Sequence, residues 1–398
     1  MPKFYRNLDS LHPIMMFCCL LAIVGCSHTS PYYSTALPKS VKGNIEPAAA
    51  LRYRVILLGD GGAPRDGEPV LKTLDEWARK APKKTSVIFL GDNMYPEGLT
   101  ERKRAYAYTR LGPQIIAVKM SGAHGLFIPG NHDWTKEGAT VCGALNAQEK
   151  FINRTLGNLS NPGAKRETGA VKEVFLPKDG SPGPVKLDLP TSDPTLRIIV
   201  LDTEWWLRQY KKDPKTPEAV IDNLKALLIT ELPVVVVAHH PLATHGRHGG
   251  FRDWQAHLFA LQDWKKYLWL PTPIFGSLCH YIDWHLVKSD QNINGERNKN
   301  MVTHLNDAFS IPNKTPCLIY ASGHDHSLQV LKGHNADYLL VSGAASSKKV
   351  SEVTDGTDTL FAHAHAGFMV VDFLANGKIL LRVVAPENKG VQFSLWLN

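Results

Sequence analysis

The chain has 398 residues, 43% hydrophobic and 21% charged, with a formal net charge of +8 and a sequence pI near 9.0. This is the composition of a globular protein, without internal repeats or low-complexity tracts, which excludes a disordered or repeat-built chain. The positive balance suits anionic ligands such as phosphates, but no basic run is interleaved with aromatic residues, so no nucleic-acid partner is expected.

Residues 1–25 read as a secretory signal. Lys3 and Arg6 form a basic start, and Ile14 to Val24 is an apolar stretch too short for a stable membrane span. Ile23-Val24-Gly25-Cys26 resembles the bacterial lipobox, in which Cys26 carries lipid and becomes the mature N-terminus. The expectation is a lipid-anchored protein of the bacterial cell envelope, and Ser27 points to the outer membrane. A plain signal or an uncleaved anchor is the alternative. Cys142, Cys279 and Cys317 remain beyond it, without zinc-like spacing, and sequence does not select a disulfide pair. Residues 26–50, rich in Ser, Pro, Tyr and Ala, are expected to be a flexible tether, and 51–398 the folded domain.

The first strand is Val55 to Leu58, running into Gly59-Asp60-Gly61-Gly62, and a helix follows over Pro69 to Arg79 with Val70, Leu71, Leu74 and Trp77 on one face. Val87 to Leu90 runs into Gly91-Asp92-Asn93-Met94-Tyr95, and a helical stretch covers Glu101 to Val118. Gly125 to Pro129 runs into Gly130-Asn131-His132-Asp133. After a loop-rich region over 157–195, Arg197 to Leu201 ends at Asp202, which either caps a helix or orients a ligand. A helix spans Pro217 to Thr230. Val234 to Val237 then reaches Ala238-His239-His240-Pro241. Residues 251–311, rich in Trp and Tyr, read as an insertion or lid. Leu318 to Ala321 reaches Ser322-Gly323-His324-Asp325-His326, and Tyr338–Val341, Phe368–Phe373 and Ile379–Val384 read as a second, mainly antiparallel sheet.

One event recurs along this α/β pattern: an apolar strand ends in a residue able to hold a metal. Asp60, Asp92 with Tyr95, Asn131 with His132, His239, His324 and His326 form the set. Oxygen and imidazole donors of this mix suit a pair of first-row transition metals, with a carboxylate such as Asp92 bridging them. Two such cations clamp a phosphoryl group and acidify water.

These five blocks resemble the calcineurin-like metallophosphoesterases, and specifically their purple acid phosphatase branch, which reads G-D-x-G, G-D-x-x-Y, G-N-H-[DE], V-x-x-H and G-H-x-H. The resemblance implies a four-layer αββα fold, two mixed sheets flanked by helices. Most of the superfamily begins with D-x-H; here Gly62 stands at the His position and Tyr95 is present, as in the purple acid phosphatases. Carried over, Asp60, Asp92, Tyr95 and His326 hold a first metal, Fe³⁺, and Asp92, Asn131, His239 and His324 a second, Fe²⁺, Zn²⁺ or Mn²⁺. His132 resembles the histidine that binds phosphate and assists the leaving group. His248 stands where animal-type members have a second active-site histidine, with His245 and Arg247 as alternatives in the same loop. The stretch from His239 through Gly250 and on to Leu278 also resembles a group of bacterial metallophosphoesterases. His240 reads as a packing or supporting residue, and His363 and His365 as structural or surface.

The implied activity is hydrolysis of phosphate monoesters, acid phosphatase-like, by attack of metal-bound hydroxide. A phosphodiesterase or pyrophosphatase on the same site is the alternative, and a non-catalytic envelope binding protein the remaining one.

Overall fold

The computed structural model describes residues 30–100, 104–134, 143–158, 174–208, 216–263, 270–312, 314–386 and 390–398. The expected signal over 1–25, Cys26 and Cys142 lie outside them.

The chain forms two mixed sheets. The six-stranded one contains β2 (Leu51–Leu58), β3 (Thr85–Phe89), β4 (His124–Phe127), β12 (Phe368–Leu374), β13 (Ile379–Ala385) and β14 (Gly390–Trp396), in the order β14-β13-β12-β2-β3-β4. The eight-stranded one contains β1 (Tyr32–Tyr33), β5 (Val185–Leu189), β6 (Leu196–Val200), β7 (Val234–Val237), β8 (Leu318–Ser322), β9 (Leu328–Lys332), β10 (Tyr338–Ser342) and β11 (Thr359–His363), in the order β1-β11-β9-β10-β8-β7-β6-β5. Within each, a parallel block carries the motifs: β2-β3-β4 in one and β6-β7-β8-β10 in the other.

Alternation along the inner strands explains the layers. Val55 and Leu57 face the core between the sheets, as do Val235 and Val237 of β7. Ile56 and Leu58 face an outer core with the helices Pro69–Arg79, Arg104–Ser121 and Gly143–Asn158. Val234 and Val236 face the opposite outer core with the helices Glu204–Arg208, Pro217–Leu228 and Glu296–Phe309. Strands covered on both faces need apolar residues throughout, and the Val234–Val237 run has them. The four-layer αββα arrangement is therefore the fold. Both sheets and the three described cores are built from residues 30–398.

Three sequence expectations change. Residues 30–50 are not a tether. Tyr32 and Tyr33 pair with β11, Val41 is buried, and Arg382 donates to Ile45 O at 2.9 Å. The 251–311 insertion is shorter at its C-terminal side, because Met301, Leu305, Ala308 and Phe309 of the last helix belong to the outer core. The late strands do not form one sheet of their own. Tyr338–Ser342 pairs in parallel with β8, whereas β12 and β13 extend the N-terminal sheet through β2.

Candidate metal centre

Every strand-end block reaches the same place, at the carboxyl ends of the parallel strands of both sheets, the end where open α/β sheets gather their ligands. The backbone is bent sharply to do so. Asp60, Asp92 and His324 have φ of 63°, 52° and 68°, a left-handed conformation that residues other than glycine rarely adopt. Such strain persists where the surroundings enforce it and clusters at functional sites.

The flanking glycines have a steric reason. A Cβ on Gly130 would lie 2.3 Å from Asp92 N and 2.4 Å from its Oδ1, and one on Gly323 would lie 2.7 Å from Asp60 Oδ2. At Gly62 a Cβ would meet Met94 N at 2.4 Å. No side chain fits there, because Gly62 N donates to Asp92 O and Tyr95 N donates to Gly62 O. The same close approach that excludes a histidine at 62 brings Tyr95 into the site.

Two clusters of metal-ligand-type atoms result. In the first, Tyr95 Oη lies 2.8 Å from Asp60 Oδ1 and 3.1 Å from His326 Nε2, and His326 Nε2 lies 3.2 Å from Asp60 Oδ1. In the second, His239 Nε2 lies 2.9 Å from Asn131 Oδ1 and 3.2 Å from His324 Nδ1. Asp92 stands between them: its Oδ1 is 3.4 Å from His239 Nε2, and ligand atoms of Asp60, Asp92 and His239 all lie within 4.8 Å of one another.

The tautomers in the second cluster follow from its partners. His239 Nδ1 donates to Leu90 O at 2.8 Å and His324 Nε2 to Gln291 O at 2.7 Å, since a carbonyl only accepts. In their neutral forms the facing Nε2 and Nδ1 both carry lone pairs, beside the acceptors Asn131 Oδ1 and Asp92 Oδ1. A positive charge has to sit among these four atoms, as a proton or a metal cation. The donor set fits a cation in each cluster, and phenol with carboxylates in the first is the harder set.

Charge and burial act on the protonation states. Burial raises the Asp92 carboxyl, but the charges of His239 and His132 and the His132 N–H outweigh this and bring it down to about 2. Burial, then the charges of Asp60 and Asp92, push the Tyr95 phenol well above its usual range. A bound cation acts in the opposite sense. Burial, with His248, His240 and His239 nearby, holds His324 well below the ordinary imidazole range, in the neutral form a ligand needs. For His239 and His326, burial lowers but the neighbouring carboxylates raise further, so both move up.

His132 stands at the rim with its side chain 33% exposed. Its N–H donates to Asp92 Oδ1 and its Nδ1 to Pro96 O at 2.6 Å, which leaves Nε2 facing the site, 3.9 Å from Asp92 Oδ2. His248 also joins the site. Its ring lies 3.9 Å from that of His324, centroid to centroid, and its Nδ1 is 3.0 Å from Asn292 Oδ1. His245 instead pairs with Asp358 at 2.6 Å. His240 is spatially grouped with His239 and His324, but both its nitrogens are engaged, Nδ1 with Thr203 Oγ1 at 2.9 Å and Nε2 with Gln291 Oε1 at 3.0 Å. It therefore supports the site rather than ligating. Asp202 accepts from Glu204 N and Trp205 N, the capping alternative. Cys279 and Cys317 are both free thiols.

Several contributors escaped sequence reasoning. Asp133 accepts from Gly130 N, Asn93 N and Met94 N and so ties two motif loops together. Asp325, between the two ligand-type histidines, accepts from Thr244 Oγ1, Arg247 N and His248 N and pins the loop that carries His248. Position inside a motif was the available signal for both. Gln291 orients His324 with its carbonyl and joins His240 to Glu204 with its amide, 3.1 Å from Glu204 Oε2. Lys349 Nζ lies 4.1 Å from the Tyr95 ring centre, and Arg208 donates to Asn131 O at 3.4 Å. Nothing local in the sequence marks Gln291 or Arg208.

By sequence, no protein-family model and no curated protein matches the chain. Solved structures do match in fold. A purple acid phosphatase, PPD1, from yellow lupin (Lupinus luteus) seeds aligns with a TM-score of 0.50 at 13% identity, over 89% of this chain and 55% of that one. The chain thus spans about half the length of the lupin protein. GAP50, the anchor in the inner membrane complex of Plasmodium, aligns with a TM-score of 0.48 at 15% identity, over 88% and 89% of the two chains. A dimetal phosphatase from Danio rerio aligns with a TM-score of 0.44 at 11% identity, over 88% and 99%. At these identities the likeness is one of fold.

Proposed function

We propose that the chain is a dinuclear-metal phosphoesterase of the purple acid phosphatase-like branch, acting on phosphate monoesters. The observation that carries this reading is the pair of metal-ligand-type clusters joined by Asp92, with His132 at the open rim. Asp60, Asp92, Tyr95 and His326 would hold one cation, and Asp92, Asn131, His239 and His324 the other. The phenol and carboxylates favour Fe³⁺ in the first position, with Fe²⁺, Zn²⁺ or Mn²⁺ in the second. Bound there, the cations supply charge neutralisation for a phosphoryl group and acidify water.

The chain's own residues supply the rest. Asp133 and Asp325 keep the motif loops in register, so the donors need no rearrangement when charge develops. His132, fixed through Nδ1, presents Nε2 to a substrate oxygen, where it binds the phosphate and delivers a proton to the leaving group. His248, held by Asn292 against His324, stands where it meets the same phosphoryl group. We also propose that Cys26 is the lipid-bearing residue that keeps the protein at the bacterial envelope; mass spectrometry of the native protein would find Cys26 unmodified if this is wrong.

The test is hydrolysis of an aryl phosphate monoester and the matching diester by metal-reconstituted protein, with Asp92→Asn as the blank. Monoester turnover that falls at least about a thousandfold in Asp92→Asn, together with lower metal content, is the expected result. Full activity in that variant would overturn the dinuclear reading, and diester preference would replace the monoester one.

A further inference from the structure

The helix Pro273–Ile282 continues into a π-helical turn, Asp283–Val287, and together they present an apolar stripe that no other described part of the fold covers. Ile274 is 74% exposed, Leu278 51%, Tyr281 57% and Leu286 69%, and Phe275 and Leu270 are exposed too. Ile274, Leu278 and Tyr281 are spaced by four and three, and Leu286 follows by five across the wider π-helical turn, which keeps them on one face, the pattern a globular helix normally turns inward. The other face is firmly held. A Cβ on Gly276 would lie 2.1 Å from His257 O, and His280 Nε2 bonds to Ala256 O at 3.1 Å. The stripe is therefore displayed on a fixed support, and exposed apolar surface of this kind marks an interaction site.

Three observations identify its occupant. First, the segment from 270 to 287 contains one carboxylate, Asp283, beside the aromatic residues Tyr281 and Trp284, and the sequence brackets it with Lys265-Lys266 and Lys288. Aromatic residues with flanking lysines suit the headgroup layer of an anionic bilayer. Second, the segment is two-faced, apolar outward and hydrogen-bonded to the fold inward, and at ten residues plus a five-residue π-helical turn it is of the kind that lies in the interface. Third, the topology brings the N-terminus to the same end of the molecule. His363 of β11 pairs with Leu328, just after the His324–His326 loop, and Tyr32 pairs antiparallel with Ala362. The chain before Tyr32 thus emerges at the site end of the eight-stranded sheet. Residue 30 follows Cys26, the proposed lipid-bearing residue, by four residues, an extended reach of at most about 14 Å.

We infer that the apolar face over 270–287 seats in the surface layer of an anionic lipid bilayer and holds the metal-centre end of the fold against the membrane. The face is coupled to the site through a short path. Trp284 packs over Gly250, beside the turn that carries His248, and three residues beyond Lys288 the Gln291 carbonyl accepts from His324. This inference stands apart from the phosphoesterase reading, since it concerns binding and would hold for an inert site.

The experiment is co-sedimentation of residues 30–398, which lack the N-terminal segment and are first matched to the full chain by circular dichroism, with vesicles of phosphatidylethanolamine and phosphatidylglycerol. The fragment is expected to bind, and the triple variant Ile274→Ser, Leu278→Ser, Leu286→Ser to bind about tenfold or more weakly with an unchanged circular dichroism spectrum. Ile274→Leu should keep full binding. A fragment that stays in the supernatant, or a triple variant that binds as well as the parent, overturns the inference. A concentration-dependent dimer, abolished by the triple variant and without vesicle binding, would assign the face to a second copy instead.

Discussion

At Gly130 a single methyl group separates a working geometry from a collision. The position of a Cβ there, 2.3 Å from Asp92 N, leaves no room without moving the carboxylate that joins the two clusters. Gly130→Ala is expected to lower activity on the order of a hundredfold, the usual cost of an ångström of misplacement at a reacting centre. Metal content measured on the same preparation should fall with it; retention of two metals and full turnover would show that the loop yields. The glycine was legible in the sequence as part of a motif, but the atom it avoids was not. Tyr95 and Gly62 make the same point, since only the packed loops show that one residue's presence requires the other's lack of a side chain.

The segment Ser289–Gln291 illustrates what an element contributes that its local sequence does not announce. It follows the apolar helical stretch and ends at Gln291, whose amide bridges two buried groups, His240 and Glu204. Burial pushes His240 down and Glu204 up, and the bridge supplies each with one of its hydrogen bonds, beside Thr203 for His240 and Arg208 for Glu204. Gln291→Ala keeps the carbonyl that orients His324 but removes the bridge. Affinity at the second metal position is expected to weaken roughly tenfold to a hundredfold, as for other residues that orient ligands from behind. Titration with chelator-buffered metal would read this, and equal loss at both positions would contradict it. The ligands were legible because each sits in a short block at a strand end. Gln291 lies 33 residues from His324, which it orients, and no pattern ties the two together.

Across the whole molecule, the six-stranded sheet is joined by a buried charge cluster at the end of β2 opposite Asp60. Arg54 makes two bonds to Asp372 at 2.6 and 2.8 Å, and Arg382 a third at 2.6 Å, with all three side chains buried. Both arginines also lie near the Trp77 ring. Removing the shared carboxylate leaves two buried cations without their partner. Asp372→Ala is expected to cost about 3–5 kcal/mol in chemical denaturation, while the folded fraction keeps its metal content. A change below about 1 kcal/mol would mean that water reaches the cluster.

The sequence by itself determined the elements and the donor atoms. Short unbroken apolar runs specify inner strands, and a carboxylate or imidazole just past each strand specifies what is displayed there; both are local properties of a few consecutive residues. Tertiary structure alone decided how those pieces are shared out: the first three long strands and the last three form one sheet, and Tyr32–Tyr33 closes the edge of the other. It also decided that a helix after residue 270 turns its apolar stripe outward. Strand partnership and the direction of a helical face depend on which distant surfaces bury most apolar area together, a competition among contacts that no short stretch encodes.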